Sequence, residues 1–246
     1  AAQVIGIIPA RAHSTRFPFK IIAPILGKPM IQYVWELAKR AKSLDEVIVA
    51  TDHPDIFNCV KSFGGTVVMT PSDLPSGSDR VAFVAKDFKA DIIVNLQGDE
   101  PLLNPQCIDQ LVDSLKQHPS CQISTLAVKR TDPKELENSN CVKVVCEDSG
   151  RALYFSRQSL ASGEKGEFFK HIGIYAYRRN ALFQFCQLPP SSLEKRERLE
   201  QLRALQNGMG IQVCFVEQDS VAVDTPEDIA KVEDYLKKTN LSRGKI

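Results

Sequence analysis

Along the first hundred residues, short β-branched runs alternate with longer amphipathic stretches. Val4 to Ile8, Glu46 to Thr51, Thr66 to Met69 and Asp91 to Leu96 are each bounded by polar or turn residues, which predicts strands. Between the first two, Gly27-Lys28 leads into a helix that opens with Pro29, where the missing N–H costs nothing, and places Met30, Val34, Leu37, Ala38 and Ala41 on one face. Strand, helix, strand in that order predicts a parallel sheet with right-handed crossovers.

From about Cys121 the rhythm changes. Ile123 to Val128, Val142 to Val145 and Ile172 to Tyr177 read as strands without a regular helix between each pair, which suggests a mixed sheet. A helix is expected over Leu193 to Gln206, with the charged run Glu194 to Arg198 as its solvent face and Leu199, Leu202 and Leu205 on the other. A strand over Ile211 to Val216 follows, and Asp224 closes a further strand. In the last helix Thr225 is the cap, Pro226 takes the first position and Asp228 stands three residues beyond the cap. The polar stretch Lys237 to Ile246 is expected to fray. The fold class this supports is α/β: a Rossmann-like, mostly parallel sheet flanked by helices, with a smaller mixed-sheet lobe. Residues 1–120 and 191–246 are expected to form the main α/β domain and 121–190 the smaller lobe.

Composition narrows the function classes. A chain of 246 residues with 43% hydrophobic and 25% charged residues can bury a full core in one or two domains. A formal net charge of +1 provides no field for nucleic acid or a membrane surface, so neither is expected as a partner, and any anion must be held by local clusters. No apolar run reaches membrane-spanning length, and Val4 to Ile8, ending in Pro9, is too short for a signal peptide. The seven cysteines are scattered without a CxxC pair, which fits reduced, buried thiols in a cytoplasmic protein.

Candidate chemistry sits at strand ends, where ligands bind in an open α/β sheet. The loop Pro9-Ala10-Arg11-Ala12-His13-Ser14-Thr15-Arg16-Phe17-Pro18-Phe19-Lys20 follows the first strand and carries cations and hydroxyls able to surround a triphosphate, with Lys20 suited to the α- or β-phosphate. On charge alone a solvated basic loop is an equal reading. Neither GxxxxGK[ST] nor GxGxxG occurs, so an ordinary kinase or dinucleotide site finds no support. Gln97-Gly98-Asp99-Glu100-Pro101 ends the strand Asp91 to Leu96 and places a carboxylate where Mg²⁺ could bridge phosphate oxygens, although the same residues make a good turn. Asp224 alone reads more simply as a helix-start residue. Taken together, cations against phosphates and carboxylates for magnesium at one sheet edge are what phosphoryl-type transfer needs.

Along essentially its whole length the sequence resembles the 3-deoxy-manno-octulosonate (Kdo) cytidylyltransferases. The loop Pro9 to Lys20 carries the resemblance together with Gly27-Lys28-Pro29-Met30, Pro75-Ser76-Gly77-Ser78-Asp79-Arg80, Gln97 to Pro101, Tyr154-Phe155-Ser156-Arg157, His171 to Tyr175, Leu199 to Arg203 and Val223 to Asp228. The resemblance implies transfer of CMP from CTP to the anomeric hydroxyl of Kdo, giving CMP-Kdo for lipopolysaccharide synthesis. Another acidic sugar such as sialic acid is the alternative acceptor. It implies that Arg11, Ser14, Arg16 and Lys20 bind the phosphates, and that Ala10, Pro75, Ser76 and Gly77 border cytosine and ribose. Asp99 and Asp224 would hold Mg²⁺ and act with Arg16 and Lys20 in catalysis. Arg80, Gln97, Arg157, His171, Glu200 and Gln201 would face Kdo. It further implies a homodimer paired through the 121–190 lobe.

The sequence departs from this pattern in two places. Phe19-Lys20-Ile21 stands where glycine, lysine and proline are common, so a positive φ there would strain the phenylalanine. His53 replaces an acidic residue often found after Ala-Thr-Asp. Bottom-up, His13 and His53 read as solvated loop histidines, His118 as structural, and Trp35 with Tyr33 as core and rim.

Overall fold

A computed structural model describes residues 2–13 and 16–243, with side chains to residue 240. In chain order the elements are β1 (Val4–Ala10), a 3₁₀ turn (Lys20–Ile22), β2 (Pro24–Ile25), β3 (Lys28–Pro29), α1 (Met30–Arg40), β4 (Glu46–Thr51), α2 (Pro54–Ser62), β5 (Val67–Met69) and α3 (Gly77–Ala85). There follow β6 (Ile92–Asn95), α4 (Pro105–Gln117), β7 (Ile123–Arg130), α5 (Pro133–Glu137), β8 (Lys143–Cys146), β9 (Ala152–Ser156) and β10 (Phe168–Arg178). The last are α6 (Arg179–Gln187), α7 (Ser192–Glu197), α8 (Gln201–Gln206), β11 (Ile211–Val216) and α9 (Pro226–Arg243).

One sheet of nine strands runs in the order β11-β7-β10-β6-β1-β4-β5, with β8 and β9 added alongside β10. β6, β1, β4 and β5 are mutually parallel, as the strand-helix-strand rhythm predicts. β1 is followed in space by β4 on one side, whereas the chain returns to pair β6 on its other side. That reversal leaves a crevice beyond the carboxyl ends of β1 and β6, the place where open α/β sheets bind ligands. The loop from Pro9 to Lys20 follows β1 and Gln97 to Pro101 follows β6, so the topology alone brings them together.

The change of rhythm at Cys121 corresponds to the entry of β10 between β6 and β7, antiparallel to both. The strands of 121–190 therefore continue the main sheet, and only the β8–β9 hairpin stands off its path. A register shift between Ile172 and Tyr175 kinks β10 where it passes β7. In α1 the apolar stripe buries Met30, Ile31, Val34, Leu37 and Ala38, each of the larger side chains worth about 2 kcal/mol by removal from water.

Three expectations are corrected. The helix over Leu193 to Gln206 is two, α7 and α8, because Arg198 adopts a left-handed conformation (φ 57, ψ 46) that ends the first. Its charged run is not simply a solvent face: Glu194 completes a capping box with Ser191 and pairs with Arg203 at 2.7 Å, and Glu197 turns towards β9. Asp224 does not close a strand, since β11 ends at Val216 and the chain reaches α9 through irregular structure. That connection is pinned by Val223, wholly buried, whose N–H donates to Asp99 O at 2.8 Å. α9 starts as expected, with Pro226 first and Asp228 accepting from the backbone N–H of Asp224 and Thr225. It continues to Arg243, and the last three residues of the stretch expected to fray lie outside the described residues.

Candidate active site

A cavity of about 430 Å³ opens beyond β1 and β6, and Pro9, Arg11, Lys20, Ser76, Arg80 and Asp99 are among its walls. A second, of about 530 Å³, is lined by Arg11, His13, Arg16, Lys20, Asn140, Arg157 and Asp224. Arg11, His13 and Lys20 border both, so the cations of the phosphate loop form the seam between them.

The loop is shaped by its own backbone. Phe19 N–H donates to Ala12 O at 3.2 Å, and Ala12 N–H donates to Asp52 Oδ1, also at 3.2 Å. Phe19 adopts φ 54 and ψ 27, the left-handed region, so the strain expected from replacing glycine is present. Its ring packs edge-on to His53, whose Nδ1 accepts from Asp55 N–H as the cap of α2. His53 is thus a helix cap. Lys20 emerges on the following 3₁₀ turn, and Ile21 lies so close to Gly98 that a Cβ there would meet Ile21 Cδ1 at 2.7 Å. The missing side chain of Gly98 lets this turn sit against the end of β6.

The result is a convergence of charge. Lys20 Nζ lies 3.1 Å from Asp99 Oδ2 and 4.0 Å from Asp224 Oδ1. Burial pushes the Asp99 carboxyl above its usual range, the Lys20 ammonium opposes that, and Asp224 adds to the upward push. Glu100 beside it is buried, with its carboxyl pushed up to about 8 by burial first and by Asp99 next, and its Oε2 finds no partner among the described residues.

The first cavity's other wall is the start of α3. Ser76 caps it, accepting from Asp79 N–H at 3.2 Å, which places Pro75, Ser76 and Gly77 at the positive end of the helix. Arg80, 4% exposed, donates to Thr70 Oγ1 and to Pro71 O at 2.8 Å, and lies 4.0 Å from Asp52. Burial lowers its pKa and Asp52 raises it.

The sixteen residues expected to form the site fare differently. Arg11, Lys20, Pro75, Ser76, Gly77, Arg80, Gln97 and Asp99 line the first cavity, and Arg16, Arg157 and Asp224 line the second. Ala10 is wholly buried at the end of β1, between the lining residues Pro9 and Arg11. Ser14 lies outside the described residues. His171, expected to face the sugar, is buried against Phe155 and Tyr175, with Nε2 2.8 Å from Thr125 Oγ1; burial depresses its pKa to about 3. Glu200 and Gln201 border a pocket of about 20 Å³, room for a water-sized group and too small for a sugar. Gln201 Nε2 is unpartnered there among the described residues, and Glu200 reaches the first cavity through Ser76 Oγ at 3.4 Å.

Asn140, Asp52 and Glu197 were not singled out in the sequence. Asn140 and Asp52 sit in polar connections with no periodic signal, and Glu197 was absorbed into a charged run. Glu197 accepts from Ser156 Oγ at 2.8 Å, Tyr154 OH at 3.0 Å and Arg157 N–H at 3.2 Å, fixing the segment that carries Arg157.

A cytidylyltransferase family model matches residues 5–211. The 3-deoxy-manno-octulosonate cytidylyltransferase of Bdellovibrio bacteriovorus is 48% identical over 95% of this chain and 98% of its own. That of Protochlamydia amoebophila is 46% identical over 97% and 96%. A solved CMP:2-keto-3-deoxy-manno-octonic acid synthetase, complexed with CTP, superposes with a TM-score of 0.93 at 39% identity, covering 97% of this chain and all of that one. A cytidylyltransferase from Leptospira borgpetersenii, 19% identical with a TM-score of 0.62, shares the fold. A phosphate loop and a carboxylate turn meeting at one switch point, matched end to end by such relatives, place the chain in the cytidylyltransferase family, among its 3-deoxy-manno-octulosonate members.

Proposed function

We propose that the chain transfers CMP from CTP to the anomeric hydroxyl of Kdo, releasing pyrophosphate. One observation carries the division of labour: two cavities share the cations Arg11 and Lys20, and only one of them also holds Arg157 and Asn140. CTP occupies the cavity walled by Pro75, Ser76 and Gly77, with its phosphates on the shared seam. The acidic sugar occupies the other, where an arginine can pair with its carboxylate bidentately.

The hydroxyl oxygen attacks the α-phosphorus as the bond to the pyrophosphate oxygen breaks, and Arg11, Arg16 and Lys20 offset charge on the departing phosphates. Among the described residues the one hydroxyl lining the first cavity, Ser76, is engaged as the cap of α3, which supports direct transfer. Asp99 and Asp224 converge on one ammonium nitrogen, at 3.1 and 4.0 Å, so both carboxylates can be met by a single cation. Two carboxylates beside a phosphate seam suit Mg²⁺, which takes one or two protein carboxylates and fills its shell with phosphate oxygens and water. Bound there, it would acidify the attacking hydroxyl and offset charge on both sides of phosphorus. With a cation there, Lys20 would be free to turn from the carboxylates to the phosphates.

The seven free cysteines suit the reducing cytoplasm, and no helix of the described residues is long and apolar enough to cross a membrane. Leu153 on β9 and Phe215 on the edge strand β11, 56% and 46% exposed, supply apolar surface for the homodimer. Pyrophosphate release with CTP and Mg²⁺ tests the central reading. Rapid release with Kdo and little with sialic acid is expected. The reverse preference, or label from CTP trapped on the protein without sugar, overturns it.

A further inference from the structure

Lys143 on β8 is only 1% exposed, although lysine is almost never fully buried without a partner. Its ammonium donates to two backbone carbonyls, Asn138 O at 2.8 Å and Arg157 O at 2.6 Å, and burial lowers its pKa. A strand that only filled the core could place an apolar residue here, as it does with Val144. What an aliphatic residue cannot do is reach two carbonyls from separate segments. An ammonium on a four-carbon stem, with three donors free to rotate, can.

The two segments are those that furnish the second cavity. One leads from Asn138 to Asn140; the other leaves β9 at Arg157, immediately after Ser156, the register partner of Lys143. Arg157 closes the same junction from outside. Its guanidinium donates to Ser139 O at 3.2 Å, Glu197 O at 3.0 Å and Arg198 O at 3.3 Å. Lys143 is thus the inner bolt of a joint whose outer bolt borders the cavity. Among the described residues no direct hydrogen bond of this kind joins 138–140 or Arg157 to a wall of the first cavity; the nearest link is indirect, from Arg157 through 197–200 to Ser76.

We propose that Lys143 is a positioning residue for the acidic sugar: it holds Asn140 and Arg157 at the spacing that sugar needs and has no part in holding CTP. This rests on the reading that the second cavity receives the sugar. If Lys143 merely stabilised the β8–β9 hairpin, its loss would weaken both substrates together or neither.

Lys143→Met keeps the length of the side chain and removes its donors, and steady-state pyrophosphate release with each substrate varied in turn reads the effect. KM for Kdo is expected to rise on the order of 100-fold, the cost of misplacing a binding group by about an ångström. KM for CTP should stay within about twofold, as for a site with no shared partner. Lys143→Arg, which restores a buried cation with several donors, should recover part of the loss. An unchanged KM for Kdo in Lys143→Met overturns the proposal, as does a parallel rise for both substrates. Failure of both Lys143→Met and Lys143→Gln to bind CTP would make the residue a folding determinant and overturn it equally. Arg157→Ala, measured alongside, separates this from the underlying reading. If that variant keeps its KM for Kdo, the sugar's place is wrong; if it loses affinity while Lys143→Met does not, only the role of Lys143 is wrong.

Discussion

The two halves of the proposed site, one read as taking the nucleotide and the other as taking the sugar, are built on different principles. The nucleotide half comes from consecutive residues at the ends of neighbouring parallel strands, so its cations and carboxylate are delivered by topology. The sugar half draws Asn140, Arg157 and Asp224 from three connections far apart in sequence, held by Lys143, Glu197 and the buried Val223. A loop at a switch point can vary in side chain and still present phosphate ligands. A cavity assembled from separate connections depends on groups that never touch the ligand.

The sharpest way to break this division is at the seam. Asp99→Asn keeps the shape of the side chain but removes the charge that Lys20 now meets and that a metal would need. Turnover should fall at least about 1000-fold while CTP still binds, since the phosphate cations remain. Near-normal turnover in steady-state assays would remove Asp99 from the chemistry.

The nucleotide half also has a structural dependency, at Arg80. Arg80→Met leaves Asp52, whose side chain is 6% exposed, without its cation and Pro71 O without its donor. Because removing one partner strands the other charge, unfolding in urea should show a loss of about 3 kcal/mol. A loss below about 1 kcal/mol would mean that Arg80 is held for the ligand and not for the fold.

How much of this was legible in the sequence follows from the same contrast. The parallel strands, the phosphate loop and the Gly98-Asp99 turn each announce themselves by an apolar run meeting polar residues. Lys143 left only a faint trace, a lysine within Val142-Lys143-Val144-Val145, and Asn140 left none, since polar connections carry no periodicity. The break between α7 and α8 was invisible because Arg198, and not glycine, takes the left-handed position. Resemblance pointed to His171, yet its ring nitrogen is occupied by Thr125 and its surroundings are aromatic.

That burial has a consequence in acid. With its pKa depressed to about 3 in the fold, against an ordinary value of 6.5, His171 binds fewer protons folded than unfolded between those values. Its contribution is therefore complete above pH 6.5 and lost as pH falls towards 3, amounting to about 2 kcal/mol already at pH 5. His171→Gln should flatten that part of the stability profile measured by urea unfolding. An unchanged slope would place the imidazole in water, or in contact with a ligand cavity.

The smallest effect compares the halves directly, because each contains a left-handed residue that is not glycine. Arg198, at φ 57, is exposed at the end of α7, where glycine is the usual choice. Arg198→Gly relieves the backbone at little cost in contacts and should stabilise the protein by about 0.5–1 kcal/mol. Phe19, at φ 54, differs because its half-buried ring packs on the core and on His53. Phe19→Ala keeps the strain and loses the packing, so it should cost about 2 kcal/mol. Phe19→Gly loses the same packing but sheds the strain, and should cost about 1 kcal/mol less than Phe19→Ala, the reverse of the usual order of the two residues. Urea midpoints at constant m-value decide it. Equal midpoints for the two Phe19 variants would show that the left-handed turn is not kept once the ring is gone, and that the backbone alone sets the cost at Arg198 but not at Phe19.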